Sequence, residues 1–170
     1  MGKPVIQIRE LQQVGMVVGN VDEKMKAMWE TFGIGPWTVH IFEPGSFRDL
    51  KYRGKPSRSG VKLGKAKVGA LEIELLEPIG EDNIYHEFVS KYGDCVHHFG
   101  WYVAETPEAF AEAVKALEKA GFPDVWSGRN EYVLFAYFDT RKVFNSMIEV
   151  VWRAPGATLP PSYTFPKGAV

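Results

Sequence analysis

Apolar and polar positions along the chain fall into two periods. From Leu11 to Val18 the apolar side chains Val14, Met16 and Val18 recur at every second residue, which predicts a strand. Met25, Met28, Trp29 and Phe32 then recur at steps of three and four, which predicts a helix over about Glu23–Phe32 with Asn20 or Asp22 as its cap. Gly33-Ile34-Gly35-Pro36 stops that helix. Strands are expected at Trp37–Phe42, Val61–Val68 and Ala70–Glu77, with the stretch Glu43–Gly60 between them reading as loop. A linker with a short helix is expected over about 81–92. The pattern then restarts: a strand at Val96–Val103, a helix opened by Thr106-Pro107-Glu108 and ended by Gly121, and strands near Val125, at Tyr132–Phe138 and at Met147–Trp152. Four prolines after Ala154 predict an irregular arm over 154–170.

The restart is an internal repeat. Gln13-Val14-Gly15-Met16-Val17-Val18 aligns with His98-Phe99-Gly100-Trp101-Tyr102-Val103, and each segment leads into an amphipathic helix that ends at a glycine. The predicted class is α+β, with two tandem β-α-β-β-β modules, one over about 11–78 and the other over about 96–153. In such a unit the helix covers one sheet face and leaves the other bare. Two units can curve their bare faces into a common cleft.

Strand alternation assigns side chains to that cleft. Val14, Met16 and Val18 face the helix, so Gln13, Gly15 and Val17 face inward. By the same parity Glu72, Glu74 and Leu76 turn inward, as do His98, Gly100 and Tyr102, and Met147, Glu149 and Val151. His97 then points away from His98. Each module thus contributes one polar residue from its first strand and a carboxylate from its last. Carboxylates within apolar strands are costly unless something pairs with them. A divalent cation removes the repulsion between two of them. Three oxygen donors and one imidazole suit zinc, cobalt, nickel, manganese or iron, with positions left open for substrate.

Composition narrows the function classes. With 45% hydrophobic and 24% charged residues the chain can build a packed core, and a formal charge of −1 asks for neither nucleic acid nor an anionic membrane. Cys95 is the sole cysteine, so no intrachain disulfide exists, which fits a reducing cytoplasm. No run approaches the roughly 18 apolar residues of a membrane span. Eight cations lie between Arg48 and Lys67 against Asp49 alone. A solvated face is the plainer reading of them, and an anion site the sharper one.

The halves resemble the vicinal oxygen chelate superfamily, which includes glyoxalase I, methylmalonyl-CoA epimerase, extradiol dioxygenases and bleomycin-resistance proteins. The resemblance rests on the Gln13–Val18 segment, Gly33-Ile34-Gly35-Pro36-Trp37, Ile73-Glu74-Leu75-Leu76-Glu77-Pro78, His97-His98-Phe99-Gly100 and Ile148-Glu149-Val150. It looks most like the epimerase branch, whose metal ligands fall on Gln13, Glu74, His98 and Glu149, with glutamine standing where that branch more often has histidine. What the resemblance implies is a metal-dependent epimerase, racemase or isomerase. Such an enzyme removes a proton next to a carbonyl and passes through an enolate, with Glu149 the first choice of base and Glu74 the second. The branch's additional acid/base glutamate falls near Arg58 or Ser59, where no carboxylate stands. The implied partner is a small carbonyl compound, an acyl-CoA or an aromatic ketone such as an isoflavanone. Trp37, Tyr102, Phe135 and Tyr137 are the candidate substrate contacts. A homodimer is expected by resemblance. A glyoxalase I-type lyase and a non-catalytic drug- or metabolite-binding protein are the alternatives, and Gln13 disfavours an extradiol dioxygenase.

Overall fold

The computed structural model of the protein describes residues 2–103 and 106–168. Module 1 opens with β1 (Gln13–Val17) and α1 (Val21–Phe32). The Asn20 side chain caps α1 by accepting from the Glu23 N–H, and Gly33 closes it in the left-handed conformation. β2 (Trp37–Phe42), β5 (Gly60–Val68) and β6 (Leu71–Ile79) complete the module. Between β2 and β5 the predicted loop carries two short strands, β3 (Arg48–Tyr52) and β4 (Lys55–Pro56). They are joined by Arg53-Gly54, both at positive φ, as a two-residue hairpin turn demands.

The linker helix is α2 (Ile84–Tyr92). Its cap, Asn83, is fully buried: Oδ1 accepts from the Tyr85 N–H while Nδ2 donates to the Gly60 carbonyl, which pins the helix start to β5. Module 2 runs β7 (Cys95–Tyr102), α3 (Pro107–Lys119), β8 (Asp124–Arg129), β9 (Val133–Phe138), a short α4 (Arg141–Phe144) and β10 (Met147–Arg153). The arm is not wholly irregular. It ends in β11 (Tyr163–Phe165), which pairs antiparallel with β2.

The strands form one mixed sheet in the order β11-β2-β5-β6-β1-β7-β10-β9-β8-β3-β4. The modules join at the antiparallel β1–β7 ladder. The β3–β4 hairpin leaves module 1 and pairs with β8 at the far edge of module 2. Residues 43–47 span that gap, and so short a segment reaches roughly 20 Å at most. The sheet must therefore curl until its edges nearly meet, giving a deep unclosed trough. Helix α1 packs its Met25 on the outer face against Val18, Trp37 and Leu75, and α3 covers Val103, Phe138 and Val150. The third core fills one end of the trough, where Ile84, Tyr85 and Phe88 of α2 meet Val17, Leu76, Trp126 and Met147.

One inward/outward assignment fails. The β1–β7 register slips between Gly15 and Met16, whose partners are His98 and Val96, so His97 is an extra residue in a bulge. Alternation breaks there. His97 turns to the same side as His98 and is buried against Tyr85, Phe88 and Tyr137.

Candidate metal centre

Four strands bring the inward polar residues together. Glu74 on β6, His98 on β7 and Glu149 on β10 each offer a ligand atom, and these atoms lie within 4.8 Å of one another. All three side chains are buried. His98 Nε2 stands 3.4 Å from Glu74 Oε2 and 3.3 Å from Glu149 Oε2. Neither approach has hydrogen-bond geometry, so Nε2 is a buried nitrogen with no hydrogen-bond partner. An imidazole nitrogen facing two carboxylate oxygens at that spacing becomes a donor set for a cation once its proton has left. The cluster fits a divalent metal.

Backbone packing makes room for it. A Cβ on Gly15 would lie 1.8 Å from His98 Cε1, because the imidazole crosses directly over the β1 backbone. A Cβ on Gly100 would lie 2.5 Å from Gln13 Oε1 and 2.8 Å from Gln13 Cβ. The ladder pairs Gly15 with His98 and Gln13 with Gly100. Each candidate ligand of β1 and β7 thus lies over the glycine of the other strand.

Gln13 is 1% exposed, and its Nε2 donates to Glu72 Oε1 at 2.9 Å. That bond fixes the amide and leaves Oε1 as the atom available to an ion. Glu72, absent from the expected site, is the centre of a polar network. Its Oε1 also accepts from the Tyr102 hydroxyl at 3.0 Å, and Lys65 and Arg153 approach the same oxygen at 3.4 and 3.3 Å. The sequence signal was present, since Glu72 shares the inward parity of Glu74 and faces Lys67 across the β5–β6 ladder. Lys65 Nζ also lies 3.2 Å from Glu74 Oε1.

Electrostatics set the protonation states of Glu74 and His98 in the metal-free cluster. Burial opposes ionisation of Glu74, but Lys65 and His98 outweigh it and lower the carboxyl to about 2. Burial disfavours the His98 imidazolium, while Glu149 and Glu74 favour it and raise the ring to about 9. His97 is pushed well below the usual histidine value by burial and by His98. Its Nδ1 lies 3.1 Å from His98 Nδ1. When His98 turns an Nε2 lone pair to a cation, its proton sits on Nδ1, and neutral His97 Nδ1 is the acceptor that holds that tautomer.

Above the cluster lies a cavity of about 340 Å³, large enough for a drug-sized molecule. Gln13, Glu74 and Glu149 line its polar side, and Phe42, Phe47, Leu63, Trp126, Phe135 and Tyr137 its apolar side. Phe135 and Tyr137 therefore stand where substrate contacts were expected, with the Tyr137 ring edge-on to His98 at 4.8 Å. Tyr102 joins the Glu72 network, under the Arg153 guanidinium at 4.7 Å, and is not part of the cavity wall. Trp37 is a correction. It is fully buried beneath α1 on the outer face, its indole donating to the Ile34 carbonyl, because odd positions of β2 point away from the trough. Half of the basic stretch is ion-paired. Arg53 pairs with Glu87, Lys62 with Asp22, Lys65 with Glu72 and Glu74, and Lys67 with Glu72.

A family model described as the Glyoxalase/Bleomycin resistance protein/Dioxygenase superfamily matches residues 12–137. The chain belongs to that superfamily. No curated protein matches it. Among solved structures it is similar to a Streptomyces coelicolor methylmalonyl-CoA epimerase in complex with 2-nitronate-propionyl-CoA. That match has 18% identity, covers 90% of this chain and 100% of that one, and has a TM-score of 0.64. A methylmalonyl-CoA epimerase from Mycobacterium tuberculosis matches at 18% identity, over 87% of this chain and 90% of that one, with a TM-score of 0.62. A hypothetical protein from Bacillus halodurans matches at 18% identity, over 88% and 98%, with a TM-score of 0.59. At these identities the likeness establishes the fold. No helix among the described residues is long and apolar enough to cross a membrane.

Proposed function

We propose that this member of the superfamily is a divalent-metal-dependent epimerase or racemase that removes and returns the proton next to a substrate carbonyl. The observation that carries the reading is the convergence of Glu74, His98 and Glu149 at the floor of a half-open, mostly apolar cavity. Glu74, His98 and Glu149 would hold the ion, with the Gln13 amide oxygen as a fourth donor. Bound there, a divalent ion acts as a Lewis acid towards a carbonyl oxygen and favours negative charge on it. Glu149 is the base, and the apolar walls exclude water from the reacting carbon.

Two substrate classes are supported by different observations. The similar methylmalonyl-CoA epimerases favour an acyl-CoA. The aromatic wall of Phe42, Phe47, Trp126, Phe135 and Tyr137 favours a flat aromatic ketone such as an isoflavanone. The test is α-proton exchange in D₂O with methylmalonyl-CoA and an isoflavanone, using metal-loaded protein and its Glu149→Gln variant. The wild type should exchange one of the two, and Glu149→Gln should lose about 10²–10⁴-fold of that rate. Equal exchange by both proteins would remove Glu149 as the base. No exchange by the wild type on either probe would remove the epimerase reading for both classes.

A further inference from the structure

Epimerisation carries a requirement that Glu149 alone does not meet. An enolate is planar, and a proton taken from one face must return to the other. Two proton-carrying groups on opposite sides of the carbon satisfy this. Most cavity side chains able to carry a proton are already committed. Lys65 lies between Glu72 and Glu74. The Ser59 hydroxyl donates to the Asp82 carbonyl. Tyr85 donates to Tyr137, and burial pushes both hydroxyls far above their usual value.

His40 is different. It lines the cavity from β2, and its Nδ1 is buried without a hydrogen-bond partner. Its orientation follows from the strand. Trp37 and Val39 pack beneath α1, so His40 and Phe42 point into the trough. In the sheet order β2 stands five strands from β10, yet His40 and Glu149 line the same cavity. A sheet curled this tightly sets those two strands on facing walls.

Resting on the epimerase reading, we propose that His40 is the second proton-transfer residue of the site, acting on the face of the substrate carbon opposite to Glu149. Its surroundings favour the neutral, proton-accepting ring, the form that opens the reaction of the other enantiomer. Burial and then Lys65 lower its proton affinity, against smaller opposing effects from the Pro160 carbonyl and Glu72. The ring is not bound tightly to any one charge.

The proton balance closes. With one enantiomer, the Glu149 carboxylate accepts the α-proton while the C–H electron pair moves into the enolate. The protonated His40 imidazole then gives its N–H proton to the opposite face of the same carbon. The products are a protonated Glu149 and a neutral His40. That is the state required to run the reverse reaction on the other enantiomer, with His40 accepting and Glu149 donating. Loss of the Glu149 proton to solvent together with uptake of one by His40 restores the starting state.

The experiment compares metal-loaded wild type and His40→Gln in D₂O, on each separate enantiomer of methylmalonyl-CoA and of an isoflavanone. Metal content and Tm are measured alongside. On the probe that the wild type turns over, His40→Gln should bind metal as the wild type does and lose about 10²-fold or more of racemisation. The enantiomer whose α-hydrogen faces Glu149 should still exchange it for deuterium with configuration retained. The other enantiomer should not exchange. Racemisation by His40→Gln within about threefold of wild type overturns the assignment, as does equal loss of exchange from both enantiomers in folded, metal-loaded variant. Failure of the wild type on both probes removes the epimerase reading together with this assignment. Failure of the His40→Gln pattern alone removes only the role of His40.

Discussion

Replacing Gly15 by alanine is the sharpest test of the centre, because the change is a single methyl group at a known distance from one ligand. Gly15 lies in β1 without a positive φ, so alanine meets no backbone strain there. The whole effect is steric. The new Cβ would stand 1.8 Å from His98 Cε1, and ordinary contact begins at 3.4 Å, so the imidazole must retreat by about 1.6 Å. Metal–ligand distances tolerate about 0.2 Å. His98 cannot keep its place at an ion after such a shift. The expected outcome is at least a 10–100-fold loss of zinc affinity by competition titration. Overpacking should cost about 1–3 kcal/mol of stability, which lowers Tm by roughly 2–12 °C in a chain of this size. Gly19→Ala is the control, since its Cβ would meet only Asp94 Oδ1 at 3.8 Å and it has no positive φ either. Gly100→Ala is the mirror experiment: it presses on Gln13, both on Oε1 and on the less movable Cβ. If Gly15→Ala bound zinc and melted like Gly19→Ala, the imidazole would not lie over β1, and the assembly of the centre would be wrong.

Four further outcomes follow from the same geometry. Glu72→Ala should lower stability by about 3 kcal/mol, the low end for a broken buried pair, because Arg153 is 44% exposed; thermal denaturation should show a Tm lower by roughly 6–12 °C. Metal affinity of the metal-free protein should rise about tenfold per pH unit until about pH 9, since the proton on His98 must leave before Nε2 can bind. A flat profile between pH 7 and 9 would contradict this. In the metal-free protein the raised His98 stabilises fully below its usual value and is lost as pH climbs through about 9, while the lowered Glu74 stabilises above its usual value and is lost as pH falls through about 2. Denaturant midpoints should therefore fall at both extremes. Trp37→Phe should cost about 1–3 kcal/mol by leaving a void under α1 and an unpaired Ile34 carbonyl, yet leave metal affinity and α-proton exchange unchanged, because no part of Trp37 reaches the cavity.

Alternation carried most of the sequence reading, and it failed where alternation itself fails. The strands and helices of both modules are periodic enough to be read locally, and parity turns Gln13, Glu74, His98 and Glu149 inward, with Glu72 and Tyr102 beside them. His97 escaped because a bulge inserts one residue, and nothing in Cys95-Val96-His97-His98 announces where the register slips. The β3–β4 hairpin escaped because its strands are short and charged, and its partner, β8, lies in the other module. Strand β11 escaped because its three residues are held by pairing with β2, a contact more than a hundred residues back along the chain. Trp37 was misread by residue type: its aromatic character suggested substrate, whereas its parity, shared with Val39, placed it under α1. His40 lies on the inward parity of the same strand, but parity alone gave a lone histidine no role. Its significance appears only when β10 is seen across the cavity.

The pairing of β1 with β7 explains why the site needs both halves of a duplicated chain. Each carries a polar residue followed two positions later by glycine: Gln13 with Gly15, and His98 with Gly100. When two copies of such a segment pair antiparallel in this register, each polar side chain meets the other copy's glycine. The space a large inward side chain requires is thus supplied by its own duplicate, and neither module has a floor for the site by itself. The two positions then diverge in chemistry. A histidine paired with Glu149 and Glu74 titrates and tautomerises, and the bulge supplies His97 to hold the tautomer. An amide at position 13 does neither, so it is fixed by an acceptor for its nitrogen instead. Glu72 is that acceptor, and Lys65 and Arg153 keep it ionised despite its burial. The Glu72 network is therefore the counterpart, on the glutamine side, of the His97 contact on the histidine side: each sets which atom of its ligand faces the ion.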